Sequence, residues 1–126
     1  MKGKKFATAL NCMDGRVQEP VIKFLKNKYK VDFVDMITEP GMDKILAEGD
    51  QKTLNGISQK IAISVKKHGS KIVAIVGHED CAGNPVEKEK HIYHIKRGKK
   101  IIESMNFQVK VLGLWVNGKW KVEIVK

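Results

Sequence analysis

Short apolar runs alternate along the chain with longer stretches in which apolar residues recur every three or four positions. The short runs are typical of buried strands, and the periodic stretches are typical of amphipathic helices. Strands are therefore predicted at residues 5–11, 31–37, 71–76 and 109–116, with helices between them.

Three helices are predicted from apolar stripes. The first follows Gly15, the second begins at the N-cap residue Asp50 and ends near Gly69, and the third covers about residues 87–105. Their stripes are Val21, Ile22, Leu25 and Tyr29; Leu54, Ile57, Ile61 and Val65; and Ile92, Ile95, Ile102 and Met105. Residues 42–50 indicate no more than a helical turn and a loop.

The C-terminal residues predict a hairpin. Asn117-Gly118 is favourable for a two-residue turn, because both residue types tolerate positive φ. The strand after it places Trp120, Val122 and Ile124 on one face, which is the alternation of an antiparallel strand. The whole pattern predicts an α/β fold: an open, mostly parallel sheet with helices on both faces and a C-terminal antiparallel hairpin strand.

Length and composition indicate one domain over residues 1–126. The chain is 42% hydrophobic, but no apolar run approaches the roughly 20 residues that a membrane helix needs. The basic N-terminus leads into an apolar run too short for a secretory signal, so a cytoplasmic protein that does not contact membranes is expected.

The net charge is +10, from 24 lysines and arginines against 14 acidic residues. Such a surface can attract nucleic acid or an anionic substrate, or can merely keep the protein soluble. Arg16 and Arg97 are the only arginines, whereas base and phosphate readers favour arginine for its planar fork. We therefore expect a lysine-rich solvated surface and no nucleic-acid partner.

The two cysteines lie just after predicted strands. Cys12 follows the first strand, and Cys81 lies three residues after His78, which ends the third. The carboxyl ends of neighbouring parallel strands form ligand sites, so the three side chains can converge there. Two thiolates and an imidazole favour zinc, and three protein ligands leave a position open for chemistry. Spacing alone leaves the alternative open that both cysteines and the histidine are core residues.

Asp14 and Arg16 lie beside the first cysteine. At this spacing in an extended segment both side chains leave on the same side. The guanidinium could hold the carboxylate ionised, ready to accept a proton from water on the metal or to act as a fourth ligand.

These two motifs, Cys12-x-Asp14-x-Arg16 and Gly77-His78-x-x-Cys81, resemble those of the β-class carbonic anhydrases. The segment Val111 to Gly118 resembles that family's last strand and hairpin. Two segments depart from the pattern: Ala82 stands where glycine is usual, and Thr38-Glu39-Pro40-Gly41 retains only the glycine of a family segment.

The resemblance implies a zinc enzyme, a lyase of the carbonate dehydratase type. Cys12, His78 and Cys81 would be the zinc ligands, and Asp14 and Arg16 the catalytic pair that orients zinc-bound hydroxide during reversible hydration of CO2 to bicarbonate. Asp14 would be the fourth ligand in a closed form. A homodimer or higher multiple is implied. The alternatives are a non-catalytic zinc-binding regulatory protein of the same fold and a hydrolase of a CO2-like substrate such as carbonyl sulfide.

The remaining histidines and the tryptophans receive structural interpretations. His91 and His94 are expected at exposed helix positions, because no carboxylate or thiol accompanies them at ligand spacing. His68 ends a helix, where a positive charge suits the dipole. Trp115 and Trp120 are expected to be packing or interface residues.

Overall fold

The computed structural model describes residues 3–126 and contains five strands and four helices in that range. A 3-10 turn at Gly15–Val17 precedes the first helix, and a π-helical turn at Ile63–Lys67 extends the third. The elements are β1 (Phe6–Asn11), α1 (Gln18–Tyr29), β2 (Phe33–Thr38), α2 (Met42–Glu48), α3 (Gln51–Ala62), β3 (Ile72–His78), α4 (Lys88–Glu103), β4 (Lys110–Val116) and β5 (Val122–Val125).

The strands form one sheet in the order β2-β1-β3-β4-β5. The first four strands pair in parallel, and β5 pairs with β4 in the antiparallel sense. The predicted α/β fold with a mostly parallel sheet is confirmed. The neighbouring positions of β1 and β3 bring the chain segments that follow them to one edge of the sheet.

Two hydrophobic cores cover the two faces of the sheet. Val21 and Leu25 of α1 pack on one face, and Leu46, Ile61 and Ile102 of the other three helices pack on the opposite face. Successive side chains of β3 alternate between these two cores, and its residues 73–78 are all buried. Each large aliphatic side chain fully buried in this way contributes about 1.5–3 kcal/mol. Helices on both faces are therefore confirmed.

The helix caps explain where α3 begins and ends. The carboxylate of Asp50 accepts a hydrogen bond of 2.8 Å from the backbone N–H of Thr53, which confirms the predicted N-cap. Gly69 follows the π-helical turn with a φ of +70°, the left-handed conformation that ends helices. Residues 42–48 form a two-turn helix rather than the single turn predicted, because Met42 and Leu46 are buried on the second core.

The predicted two-residue turn at Asn117-Gly118 is wrong. Residues 117–121 connect β4 to β5, and the positive φ lies at Trp120. The side chain of Asn117 explains the longer loop, since its carbonyl oxygen accepts hydrogen bonds from the backbone N–H groups of Lys119 and Lys121. On β5, Val122 is partly buried and Ile124 is exposed.

None of the helices within residues 3–126 combines the length and apolar character that crossing a membrane requires.

Candidate metal centre

The structure brings Cys12, His78 and Cys81 together at the carboxyl edge of the sheet. Cys12 directly follows β1, and His78 is the last residue of the neighbouring strand β3. Their ligand atoms and that of Cys81 all lie within 4.8 Å of one another, with the two sulfurs 4.0 Å apart. All three side chains are buried. Within residues 3–126 this is the one group of three such side chains that converges in this way.

The ring of His78 is oriented with one nitrogen free. Its Nδ1 lies 2.8 Å from the carbonyl oxygen of Glu79, so Nδ1 carries the proton and donates it to that oxygen. The lone pair is then on Nε2, which is buried and has no hydrogen-bond partner among residues 3–126. A buried nitrogen without a partner is costly, and a metal ion would satisfy it. The donor set therefore fits zinc.

The pKa values of the two thiols are shifted in opposite directions. The hydrogen bond between the two sulfurs is the main cause that lowers the pKa of Cys12 to about 4, against the opposing effect of burial. The same bond, together with burial, raises the pKa of Cys81. Burial acts to lower the pKa of His78, but the neighbouring Cys12 sulfur and the Glu79 carbonyl raise it overall. Zinc binds cysteine as the thiolate, so metal binding here would release protons from the thiols.

Asp14 and Arg16 form a two-point ion pair beside this group. Oδ2 of Asp14 accepts from Nη2 of Arg16 at 2.7 Å, and Oδ1 accepts from Nε at 3.0 Å and from the backbone N–H at 2.8 Å. These bonds to Arg16 lower the pKa of Asp14 to about 2 and raise that of Arg16. Asp14 lies outside the group of converging ligand atoms. Its carboxylate is ionised and directed to the guanidinium.

Arg16 also connects three loops at the carboxyl edge of the sheet. Its guanidinium donates to the backbone carbonyl of Asp80 at 3.1 Å and to the Asp80 carboxylate at 3.2 Å. The same group lies over the ring of Trp120 in the β4–β5 loop, 4.6 Å from its centroid. The loop after β1 is held as well, because the side-chain amide of Gln18 donates to the carbonyls of Cys12 and Asp14. The pair is therefore fixed from several directions.

The segment after β2 reaches the same edge through a glycine–glycine contact. Gly41 has a φ of +64°, and a Cβ there would lie 2.6 Å from the backbone carbonyl of Gly83. A Cβ on Gly83 would lie 2.5 Å from the nitrogen of Gly41. Gly41 is the one residue of Thr38-Glu39-Pro40-Gly41 that matches the family segment, and this close approach gives it a physical reason.

The expected exposure of His91 and His94 is wrong. Both side chains of this pair on α4 are at most 1% exposed. Nδ1 of His91 lies 2.6 Å from Oδ2 of Asp43, and Nδ1 of His94 lies 3.0 Å from the amide nitrogen of Asn84. The carboxylate comes from a helix 48 residues earlier in the chain, so local spacing could not reveal it.

One signal could have identified this buried cluster. His91, His94, Ile95, Gly98 and Ile102 follow the i, i+3, i+4, i+7 pattern of a buried helix face. The apolar stripe of α4 is therefore rotated from the one predicted, and polar residues occupy part of it.

The other aromatic and histidine side chains have structural contacts. His68 follows the π-helical turn; its Nδ1 lies 2.7 Å from the Asp35 carboxylate, and its ring stacks on Phe6 with centroids 4.3 Å apart. Trp115 is buried against His91, with ring centroids 5.2 Å apart. The packing role expected for Trp115 and Trp120 agrees with these contacts and with the position of Arg16 on Trp120.

An open cleft of about 600 Å³ adjoins the candidate centre. Arg16 and Cys81 line it together with residues from the segment 79–88. The three candidate ligand side chains are thus buried but lie next to a solvent-connected space large enough for a small molecule.

A model of the family described as "Putative carbonic anhydrase" matches residues 2–126. The chain belongs to this carbonic anhydrase family. No curated protein sequence matches the chain.

Three solved carbonic anhydrases show the same fold as this carbonic anhydrase family member. Isoform I of the β-carbonic anhydrase of Trichomonas vaginalis is 18% identical, with a TM-score of 0.59 over 96% of this chain and 80% of that one. The carbonic anhydrase of Glaciozyma antarctica is 13% identical, with a TM-score of 0.62 over 94% and 81% of the two chains. A structure of tetrameric β-carbonic anhydrases of Sordaria macrospora is 13% identical, with a TM-score of 0.67 over 98% and 82%. At these identities the likeness shows the fold alone.

Proposed function

We propose that this chain is a zinc-dependent carbonic anhydrase that hydrates CO2 reversibly to bicarbonate. One observation carries the proposal: the buried Cys12, His78 and Cys81 group, with an unpaired His78 Nε2, lies beside an aspartate that an arginine holds ionised. Membership of the carbonic anhydrase family and the shared fold support it.

The three side chains would hold zinc through two sulfurs and Nε2 of His78. This is a soft, nitrogen- and sulfur-donor set of the kind zinc prefers, and it leaves a fourth position for a water molecule. A zinc ion bound there supplies Lewis acidity, which lowers the pKa of a bound water to about 7.

Asp14 orients that water and does not need to donate a proton. An ionised carboxylate has about four acceptor sites. Arg16 fills two on Oδ1 and one on Oδ2, which leaves one acceptor site on Oδ2. With a pKa of about 2 the group stays ionised at neutral pH, so this site would accept a hydrogen bond from a water molecule held there and orient it.

The adjoining cleft suits a neutral substrate. The carboxylates of Glu79, Asp80 and Glu87 line it with the cations of Arg16 and Lys88, so the positive charge of the whole protein is not concentrated there. A small uncharged molecule such as CO2 enters such a space without an electrostatic penalty.

Stopped-flow CO2 hydration by the zinc-loaded chain, compared with Asp14→Ala, tests the proposal. We expect Asp14→Ala to keep its zinc and to lose about 100-fold in kcat/KM, as is typical when a reacting group is no longer correctly oriented. Asp32→Ala, which removes an exposed carboxylate bonded only to the Lys5 backbone N–H within residues 3–126, is the control and keeps full activity.

The outcomes separate the remaining functions. Equal rates in wild type and Asp14→Ala would remove the role assigned to Asp14. A chain with one zinc and no CO2 hydration would overturn the enzyme assignment in favour of a zinc-binding regulatory protein, unless carbonyl sulfide is hydrolysed in its place.

We also propose that the chain associates with copies of itself as a homodimer or a higher multiple. Each edge strand of the sheet exposes a large apolar side chain: Phe33 on β2 is 44% exposed and Ile124 on β5 is 39% exposed. Pairing of copies would cover them. A molar mass of one chain by light scattering at micromolar concentration would contradict this.

A cytoplasmic location is proposed because a reducing compartment keeps both thiols available to zinc.

A further inference from the structure

A buried polar network lies on the other side of β3 from the candidate metal centre. Asp43, Asn84, His91 and His94 are each at most 1% exposed. Asp43 is its hub: Oδ2 meets Nδ1 of His91 at 2.6 Å, and Oδ1 accepts from the amide of Asn84 at 3.1 Å. The segments that supply these residues are α2, the loop after β3, and α4.

The hydrogen bonds of the network converge on Asp43 and Asn84. Nδ1–H of His91 donates to Oδ2 of Asp43. The amide nitrogen of Asn84 donates to Oδ1 of Asp43 and to Nδ1 of His94, and it also lies 3.3 Å from Nδ1 of His91. Nε2 of His91 and Nε2 of His94 have no hydrogen-bond partner within residues 3–126. The contacts at Asp43 and at the two Nδ1 atoms therefore hold Asn84 in one position.

This network brackets two of the three candidate ligands. Gly77 precedes His78, and a Cβ on Gly77 would lie 2.8 Å from Oδ2 of Asp43, so the end of β3 packs directly on that carboxylate. Asn84 lies three residues after Cys81, and its backbone N–H and that of Gly83 act to lower the pKa of the Cys81 thiol. Asp43 thus contacts the chain on both sides of the His78–Cys81 segment.

The third ligand is reached through the same helix. Gly41, two residues before Asp43, packs against Gly83, and its backbone N–H acts to lower the pKa of the Cys12 thiol. A displacement of the N-terminal turn of α2 would therefore change the surroundings of all three candidate ligands.

We propose that Asp43, Asn84 and His91 are positioning residues of the metal centre, which hold the loop of residues 79–84 so that Cys81 stays within reach of Cys12 and His78. This inference rests on the zinc binding proposed above. The network is not a second metal site, because within the described part of the chain its ligand atoms do not converge as a group of three.

The structure supplies a matched control for this network. On β2, Asp35 accepts from the Ser64 hydroxyl and pairs with Nδ1 of His68 at 2.7 Å, which is the same kind of carboxylate–imidazole contact at a distance from the metal group. Asp35→Asn and Asp43→Asn make the same chemical change in the two networks. They differ in whether the carboxylate contacts the chain around the ligands and in burial, since the side chain of Asp35 is 27% exposed and that of Asp43 1%.

The test measures Zn2+ affinity by competition with a chromophoric chelator, at a temperature where each metal-free variant is fully folded by circular dichroism. We expect Asp43→Asn to bind Zn2+ about 10- to 100-fold more weakly, as is typical when a group supporting a metal ligand is altered. Asp35→Asn should stay within about 2-fold of wild type, as a change that touches no ligand support. The Co2+-loaded Asp43→Asn chain should also show altered ligand-field and sulfur-to-metal charge-transfer bands.

A second pair of variants decides the matter if Asp43→Asn does not fold. His91→Asn places an amide N–H where Nδ1–H of the imidazole donates to Asp43, whereas His91→Leu removes the donor. We expect His91→Asn to retain more of the Zn2+ affinity and a Co2+ spectrum closer to wild type than His91→Leu. Equal affinities and spectra in wild type and Asp43→Asn, or in His91→Asn and His91→Leu, would overturn the inference.

Failure of this inference is distinguishable from failure of the proposed function. A wild-type chain that binds neither Zn2+ nor Co2+ contradicts the metal centre itself. A wild-type chain that binds both, with unchanged network variants, contradicts only the positioning role.

Discussion

The carboxyl end of β3 has two sides, and each carries an aspartate held by a basic side chain. On the α1 side, Asp14 pairs with Arg16, and their side chains are 19% and 45% exposed. On the side of α2 and α4, Asp43 pairs with His91, and both side chains are 1% exposed. The two pairs are similar in chemistry but opposite in access to water.

Because the two pairs differ in burial, they are suited to different roles. Asp14 is partly exposed and retains one acceptor site, so it is accessible to a bound molecule. Asp43 is buried, and each of its oxygens bonds to a side chain inside the protein, so it is suited to holding its neighbours in place. In the proposed zinc enzyme, the metal centre would therefore be served from one side by a group that contacts the reactants and from the other by a group that positions the ligands.

The largest effect that would sharpen this comparison is expected for Cys81→Ser. A serine hydroxyl is a hard, poorly ionised donor, so we expect Zn2+ affinity to fall by well over about 100-fold, more than for any supporting residue. Chelator competition measures this. His68→Gln removes a histidine outside the group and should bind Zn2+ as wild type does; equal losses in the two variants would show that the converging triad is not the site.

A smaller but still large effect is expected for Gly41→Ala. The added Cβ meets the Gly83 carbonyl at 2.6 Å in a left-handed conformation. We expect a loss of about 2 kcal/mol or more in the free energy of unfolding, measured by urea denaturation. Gly56→Ala, in α3, is the matched control: its Cβ meets no atom of the described residues within 4 Å, so it should stabilise by about 0.5–1 kcal/mol. An unchanged stability for Gly41→Ala would show that the contact between the two loops is not tight.

The smallest effect concerns the exposed pair and appears only in acid. Bonding to Arg16 lowers the pKa of Asp14 from its usual 3.8 to about 2, so the stabilisation from its ionised form is complete above about pH 4 and is lost as the pH falls through 2. Because Arg16 is 45% exposed, solvent screening limits the effect to below about 1 kcal/mol.

Arg16→Gln is expected to remove that part of the acid dependence, measured as the change in free energy of unfolding of the metal-free chain between pH 5 and pH 2.5. A variant with the same acid dependence as wild type would mean that Arg16 does not hold the Asp14 carboxylate.

The sequence predicts one side of β3 far better than the other, for a physical reason. Cys12, Asp14 and Arg16 lie within five residues of one another, and His78 and Cys81 within four, so strand ends and spacing suffice to place them. Asp43 meets His91 across 48 residues through the packing of α2 on α4, and no local spacing encodes that contact. The amphipathic stripes predict the helices, but not that polar side chains on α4 would find buried partners.

The prediction for the β4–β5 connection is wrong for the same reason. Asn117-Gly118 has the composition of a tight turn, yet Asn117 uses its side chain to accept two backbone N–H groups farther along the loop. The positive φ consequently falls on Trp120, where the indole ring supports Arg16. The tertiary contact between Trp120 and Arg16 thus accompanies a turn that differs from the one that local sequence preference favours.

The zinc content of the full chain, purified without added metal and measured by elemental analysis, tests the central claim most directly. The Cys12, His78 and Cys81 group predicts close to one zinc per chain in the wild type and almost none in Cys81→Ser. A wild-type chain without zinc that also fails to take up added Zn2+, or a Cys81→Ser chain with as much zinc as wild type, would contradict it.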